Sequence, residues 1–128
     1  IERYIKLHRF KPMNEDKYLT PGEAPVIART PYGIAGLSIC YDLRFPELYR
    51  FYLSKGALFA VLPCQWPNPR LKHFETLIRA RAIENQMVVI AVNRVGTEGN
   101  NSFFGHSMIV DPWGETICNA REEEILLV

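Results

Sequence analysis

Short apolar runs alternate along the chain with polar turns and with two stretches of helical periodicity. The runs at 57–62 and 87–92 are almost wholly apolar, which is typical of strands that are covered on both faces. The pattern predicts further strands at 4–10, 26–29, 34–40, 106–110, 115–119 and 125–128. Residues 11–25 are predicted to form a long polar connection with a turn at Pro21-Gly22.

Two helices are predicted between these strands. Pro46 in a first turn and Gly56 just beyond the last turn delimit a helix over 46–55. A longer helix is predicted over 69–86, and Arg81 falls near its apolar stripe, which indicates a buried ion pair or a partner surface. The stripe consists of Leu71, Phe74, Ile78 and Ala82. The element order indicates an α/β or layered α+β fold in a single domain over 1–128.

Composition excludes several classes of partner. The formal charge of +1 over 128 residues gives no bias toward nucleic acid or anionic lipid. No apolar run approaches the roughly 20 residues of a membrane-spanning helix, so no membrane partner is expected. The three cysteines cannot all pair within one chain, which favours a reducing compartment and a cytoplasmic location. The first residues do not resemble a signal peptide and lack an initiating Met, so we expect an incomplete chain.

The candidate chemistry begins at Cys40. An apolar run ends in this thiol, a polar turn follows, and Pro46 then opens a helix, which places the sulfur at the end of a strand. Lys6 is a candidate cation that would raise the fraction of thiolate. A cysteine on an apolar strand is more often a core residue than a nucleophile, and a strand lysine is more often solvated. The residue types alone leave both assignments open.

Four blocks of residues occur in order along the chain. They are YIKLH at 4–8, Glu15 ahead of LTPGE at 19–23, GLSICYDLRFPE at 36–47, and RARAIENQ at 79–86. With these blocks the chain resembles the carbon–nitrogen hydrolase (nitrilase) superfamily over essentially its whole length. PCQWP at 63–67 and GHSMIVDPWGE at 105–115 are similar to the omega-amidase-like branch, which hydrolyses the side-chain amides of 2-oxo acids such as 2-oxoglutaramate.

The resemblance implies a fold and a set of catalytic residues. The fold would be part of an α-β-β-α sandwich. Cys40 matches the family nucleophile, Lys6 the catalytic lysine, and Glu15 a second glutamate that orients the lysine or the substrate. The Lys6 ammonium and the backbone N–H of Tyr41 would stabilise the oxyanion, and ammonia would leave a small amide substrate as the thioester intermediate forms. This chemistry requires no metal and no cofactor, and His8, His73 and His106 lack the spacing of metal ligands.

In the family, the general base is a glutamate that precedes the lysine strand. The resemblance places this glutamate upstream of Ile1, so we expect the chain to lack the N-terminal part of the domain and the end of its C-terminal part. We therefore expect it to be inactive alone. Family members form dimers or larger assemblies, so the resemblance also implies a homo-oligomer.

Other residues and other functions stay open at this point. Trp66 could form a pocket wall or pack in the core, and Arg94 could bind a substrate carboxylate or lie in a solvated loop. Asp42 and Arg44 are expected to pair with each other or to bind turn amides. One alternative function is a non-catalytic nitrilase-like subunit or binding protein. Another is a thiol hydrolase in which one of the three histidines is the base for Cys40.

Overall fold

The computed structural model describes residues 1–126, which form one large sheet, a small two-stranded ribbon and three α-helices. The helices are α1 (Glu15–Tyr18), α2 (Pro46–Ser54) and α3 (Leu71–Asn85). The strands are β1 (Val26–Thr30), β2 (Gly33–Leu37), β3 (Ala57–Cys64), β4 (Val88–Asn93), β5 (Val95–Glu98), β6 (Asn101–Phe104), β7 (Met108–Val110) and β8 (Thr116–Asn119). The sheet has the order β1-β2-β3-β4-β7-β8, and β5 pairs with β6.

The centre of the sheet is parallel because α2 and α3 connect β2 to β3 and β3 to β4. Alternate residues of the central strands are buried against the two helices. They include Ala60, Leu62, Val89 and Ala91, opposite Phe74, Ile78 and Ala82 of α3. The predicted apolar stripe of the long helix is thus confirmed, except that Leu71 at its start is only half-buried. Within residues 1–126, no helix has both the length and the apolar character that a membrane span requires.

The end of β2 is fixed by two tyrosines of α2. Gly36 lies so close to Tyr52 that a Cβ at this position would be 2.4 Å from a ring carbon, which explains why the strand carries a glycine here. The Tyr52 hydroxyl donates to the carbonyl of Leu37, and the Tyr49 hydroxyl donates to Ser38 Oγ at 3.1 Å. Helix α2 therefore fixes the backbone that leads into Cys40.

Arg81 forms the predicted ion pair, but only the arginine is buried, because its partner Glu84 is exposed. Arg81 is 5% exposed, its Nε donates to the carbonyl of Leu43 at 3.0 Å, and its Nη1 donates to Glu84 Oε1 at 2.8 Å. The bond to Leu43 joins α3 to the turn that follows Cys40.

The two helices and the strands at 26–29, 57–62, 87–92, 106–110 and 115–119 are confirmed with small shifts at their ends. Residues 4–10 are not a strand, because the segment is anchored through side chains instead of a ladder. The predicted strand at 34–40 ends at Leu37, and residues 40–44 form a 3₁₀ turn. Residues 11–25 were predicted to be a polar connection, but they include the short helix α1. The β5–β6 ribbon was not predicted, because its strands carry few apolar residues. Residues 125 and 126 are not in a strand, and 127–128 lie outside the described residues.

Candidate active site

Cys40 lies at a sharp turn at the carboxyl end of β2. The backbone ladder with β3 continues to the bond from Ser38 N to the carbonyl of Val61, at 3.1 Å. Cys40 then adopts a left-handed conformation with φ of 50°, which costs on the order of 1–3 kcal/mol for a residue with a side chain. The strained residue is thus the one that carries the thiol. Cys40 is also buried, with 9% of its surface exposed.

Asp42 connects this turn to the N-terminal segment. Its carboxylate is wholly buried and accepts four hydrogen bonds. Oδ2 accepts from the backbone N–H of Ile39 at 2.8 Å and from the Tyr4 hydroxyl at 2.7 Å. Oδ1 accepts from the backbone N–H of His8 at 3.1 Å and from its ring Nδ1 at 2.8 Å. Because an ionised carboxylate can only accept, Nδ1 of His8 carries a proton.

Aromatic contacts extend the same attachment. The His8 ring stacks on Phe45 with a centroid separation of 3.5 Å, and Phe10 lies 4.9 Å from the ring of Tyr41. The segment that contains Lys6 is therefore packed along the turn that contains Cys40, although it forms no strand.

The buried Lys6 and the half-buried Glu15 form an ion pair beside this turn. Lys6 is 8% exposed, and its Nζ lies 2.8 Å and 2.6 Å from the two carboxylate oxygens of Glu15. Glu15 Oε2 also accepts from the backbone N–H of Phe10 at 2.7 Å. The carbonyl of Lys6 accepts from Gly22 N at 2.9 Å, an approach that only glycine allows because a Cβ would be 2.2 Å from the carbonyl oxygen of Ile5. Both the side chain and the backbone of the lysine are thus fixed.

The thiol of Cys40 is under competing influences. Burial raises its pKa above the ordinary value of a cysteine. A hydrogen bond from the backbone N–H of Gln65 and the positive charge of Lys6 lower the pKa, whereas the charges of Glu15 and Asp42 raise it. The pKa is raised overall, so Cys40 is protonated at neutral pH and needs a proton acceptor to act as a nucleophile.

A cleft opens at Cys40. Trp66 is 3% exposed, and its indole N–H donates to the carbonyl of Cys40 at 3.1 Å. The side chain of Asn93 holds the backbone of Trp66 by accepting its N–H at 2.8 Å. Trp66 therefore belongs to the core and to the cleft wall at once. The cleft is lined by Phe10, Cys40, Tyr41, Arg44, Gln65, Trp66, Pro67 and Arg70.

Two arginines lie on the walls of this cleft. The Arg44 guanidinium lies 4.9 Å from the ring of Trp66, and that of Arg70 lies 5.6 Å from the ring of Phe10. Arg44 does not pair with Asp42, because the carboxylate is already occupied on the buried side of the turn. Arg70 was not among the candidates predicted from the sequence. The sequence signal that could have identified Arg70 is its position between a strand and the following helix, at the carboxyl edge of the sheet, where binding sites are usual.

The remaining candidates lie elsewhere. Arg94 bonds Glu98 at 2.5 Å and lies over the ring of Phe103, and it does not line the cleft at Cys40. Its predicted role in substrate binding gains no support from this geometry.

Each of the three histidines has a partner other than Cys40. These partners are Asp42 for His8, Arg44 for His73 and Glu75 for His106. This pairing disfavours a histidine base for the thiol. In the part of the chain that the structure describes, no three His, Cys, Asp or Glu side chains are grouped as metal ligands would be.

Comparison with known proteins gives consistent matches. The profile of the carbon–nitrogen hydrolase family matches residues 1–128. A 2-oxoglutaramate amidase of Bacillus subtilis (strain 168) is 44% identical over 125 residues, which are 97% of this chain and 48% of the relative. The chain spans about half the length of the curated relatives it matches.

Two solved structures share the fold. A CN-hydrolase superfamily protein of Xanthomonas campestris, with an arsenic adduct in its active site, matches with a TM-score of 0.89 and 34% identity, covering 96% of this chain and 49% of that one. A mutant amidase of Nesterenkonia sp. AN1 carries the acetamide moiety of fluoroacetamide on its active-site cysteine. It matches with a TM-score of 0.86 and 29% identity, covering 92% of this chain and 45% of that one.

Replacement of Asp42 tests the attachment of the N-terminal segment. In Asp42→Asn, an NH₂ group replaces one carboxylate oxygen, so the two donors that bonded this oxygen lose their acceptor. We therefore expect the free energy of unfolding to fall by about 3 kcal/mol. We also expect faster tryptic cleavage after Arg9. Urea unfolding and limited proteolysis measure these effects, with Asp16→Asn on the exposed face of α1 as the matched control. Equal stability of the two variants would show that Asp42 is not the anchor.

The pH dependence of alkylation tests the electrostatics of Cys40. Since burial raises its pKa, the rate of alkylation by iodoacetamide should rise at a higher pH than for a free cysteine. Lys6→Gln removes a charge that favours the thiolate, so the midpoint should move to still higher pH. Peptide mapping separates Cys40 from the other thiols, and Lys11→Gln, an exposed lysine, is the control. A midpoint that Lys6→Gln leaves unchanged or lowers would contradict the assigned proximity.

Proposed function

We propose, since this chain belongs to the carbon–nitrogen hydrolase family, that it carries the nucleophile of an amidase that releases ammonia from a small omega-amide such as 2-oxoglutaramate. The observation that carries the proposal is the ion pair of the buried Lys6 with Glu15, which Asp42 and the packing of residues 4–10 hold beside the Cys40 turn. A cysteine that served only the core would not require a buried cation beside it.

The reaction begins when the Cys40 thiol loses its proton and the thiolate attacks the amide carbon. The proton acceptor is the glutamate that the family resemblance places upstream of residue 1. Glu15 is unsuited to that task, because it already bonds the Lys6 ammonium and the Phe10 N–H. Its role is to hold the ammonium in place and keep it from swinging into solvent.

The attack creates a negatively charged oxygen on the former amide carbonyl. The Lys6 ammonium and the backbone N–H of Tyr41 stabilise this oxyanion. The left-handed conformation of Cys40 supports this assignment, since the turn brings the backbone after the thiol to the cleft, where Tyr41 forms part of the wall. A fixed ammonium in a site that excludes water stabilises the charge more than a mobile one would.

The C–N bond then breaks. The protonated base donates its proton to the leaving nitrogen, and ammonia departs while Cys40 keeps the acyl group as a thioester. A water molecule, deprotonated by the same base, attacks the thioester carbon, and the carboxylic acid product leaves as the thiol is restored. Atoms balance over the cycle, with one water consumed and one ammonia released.

Arg44 and Arg70 support an anionic substrate. Their side chains lie on the cleft walls over aromatic rings, where a guanidinium is oriented and only partly hydrated. A planar carboxylate pairs well with such a group. The Bacillus subtilis relative is named for an amide that carries a carboxylate, which agrees with this charge.

The nucleophile is tested in the whole protein by ammonia release from a panel of omega-amides and nitriles. We expect Cys40→Ala to abolish ammonia release, and Lys6→Met to lower kcat about 10²-fold or more because an oxyanion donor is lost. Cys118→Ser is the matched thiol control and should retain activity. Turnover that persists in Cys40→Ala would refute the assignment. A folded wild-type protein that releases no ammonia from any substrate would favour the non-catalytic subunit or binding protein.

Replacement of Arg70 tests the charge of the substrate. We expect Arg70→Gln to raise KM for 2-oxoglutaramate about tenfold, the loss of one charge-assisted contact, and to leave KM for a neutral amide such as butyramide unchanged. Arg79→Gln is the matched control, because Arg79 lies on α3 and bonds Thr116 instead of lining the cleft. An equal rise of KM for both substrates would assign Arg70 to the shape of the cleft and not to recognition of charge.

Two further proposals concern the whole protein, one from the family resemblance and one from the cysteine content. We propose that the whole protein is a homo-oligomer and that it acts in the cytoplasm. The exposed Trp113 beside Ile83 supports a subunit contact, and the three free thiols support a reducing compartment.

A further inference from the structure

Cys64 is a second free thiol at the same edge of the sheet as Cys40. The register pairs Gly36 with Ala60 and Leu37 with Val61, and the Ser38 N–H bonds the carbonyl of Val61. The backbone stays extended through Ile39, with φ of −135° and ψ of 120°, so the Cys40 turn leaves the sheet beside Cys64, the last residue of β3. Neighbouring strands are about 4.8 Å apart, and the Cα atoms of a disulfide are separated by about 4.4–6.8 Å. The two strand ends are therefore close enough for a disulfide.

Both thiols also lie on the same side of the sheet. Gly36 faces Tyr52 of α2, and Ser38 accepts from Tyr49 of the same helix, so every second residue that leads into Cys40 faces the helices. On β3, the fully buried Ala60 and Leu62 face the helices, and Cys64 continues their alternation. Side chains that alternate on the same face of adjacent strands are neighbours.

The surroundings of the two sulfur atoms agree with this placement. The backbone of Gln65, the residue after Cys64, is among the groups that lower the pKa of Cys40, and the charge of Cys40 is among those that raise the pKa of Cys64. The two thiols therefore influence each other across the two strand ends. Burial raises the pKa of both thiols, so both are protonated at rest and the pair does not oxidise without an initial reaction at one of them.

We propose that Cys40 and Cys64 form a reversible disulfide in which Cys64 is the resolving thiol. A hydroperoxide supplies the oxidising equivalents. The Cys40 thiolate attacks the peroxide, an S–O bond forms as the O–O bond breaks, and an alcohol or water leaves. Cys64 then attacks the sulfur of the Cys40 sulfenic acid, the S–S bond forms, and the hydroxyl leaves as water with the Cys64 proton. A dithiol returns both residues to thiols by exchange.

This modification has two consequences. The disulfide occupies the sulfur that would attack the substrate, so the oxidised protein is inactive. It also prevents further oxidation of Cys40 to the sulfinic acid, which thiols do not reverse. The pairing itself rests on the strand register, and only the loss of turnover rests on the proposed amidase activity.

The experiment treats the whole protein with a small excess of hydrogen peroxide and maps the thiols by mass spectrometry. Trypsin releases Cys40 in the peptide 30–44, Cys64 in 56–70 and Cys118 in 95–121. We expect a cross-link between the first two peptides, with the mass of two hydrogen atoms lost, and its disappearance on treatment with dithiothreitol. Cys118→Ser should give the same cross-link, because Cys118 lies on β8, three strands from β3.

Recovery of activity provides a second readout. After peroxide, dithiothreitol should restore the activity of the wild type on the order of tenfold better than that of Cys64→Ser, in which Cys40 proceeds to the sulfinic acid. Cys64→Ala serves the same purpose if the serine variant does not fold. If neither variant folds, the peptide map of the peroxide-treated wild type tests the proposal by itself. Wild-type protein with Cys40 as sulfinic acid and Cys64 as free thiol would overturn the proposal. A cross-link in a protein without turnover would support the thiol pair and refute only the amidase.

Discussion

The buried carboxylate of Asp42 is the interaction on which the arrangement at the sheet edge depends. It accepts from Ile39 just before the nucleophile and from Tyr4 and His8 on either side of Lys6. A buried charge with one partner missing is costly, so the four donors and the carboxylate are kept or lost together. The same group therefore shapes the Cys40 turn and positions the segment that carries the cation, although Asp42 itself does not line the cleft.

The geometry divides the chemical work among residues that are already fixed. Glu15 holds the ammonium of Lys6 in a buried position, and the left-handed turn at Cys40 brings Tyr41 to the cleft wall. Such preorganisation is valuable because no group has to be reoriented as charge develops on the substrate. The raised pKa of Cys40 fits the same scheme, since the thiol stays protonated until a base and a substrate are in place. Burial likewise raises the pKa of the neighbouring Cys64, so this thiol is also protonated at rest.

Local patterns predicted the elements whose signals are local. Pro46 and the apolar stripe of α3 indicated the two long helices, and the apolar runs at 57–62 and 87–92 indicated the central strands. The segment at 4–10 misled because its alternation is typical of a strand, whereas its partners are side chains distant in sequence. Arg70 was missed for a related reason, since a single loop arginine has no local pattern that distinguishes a cleft wall from solvent.

The sequence by itself determined the α/β class, the order of the central elements and, through its motifs, the family and the identities of Cys40, Lys6 and Glu15 as candidates. These follow from periodicity, turn residues and ordered blocks, which are properties of neighbouring residues. Only the tertiary structure decided that Asp42 joins the two candidate segments, that Arg44 and Arg70 share a cleft, and that the strand ending at Cys64 lies next to the Cys40 turn. Those relations depend on strand register and on contacts between residues some 24 to 38 positions apart, which no local pattern encodes.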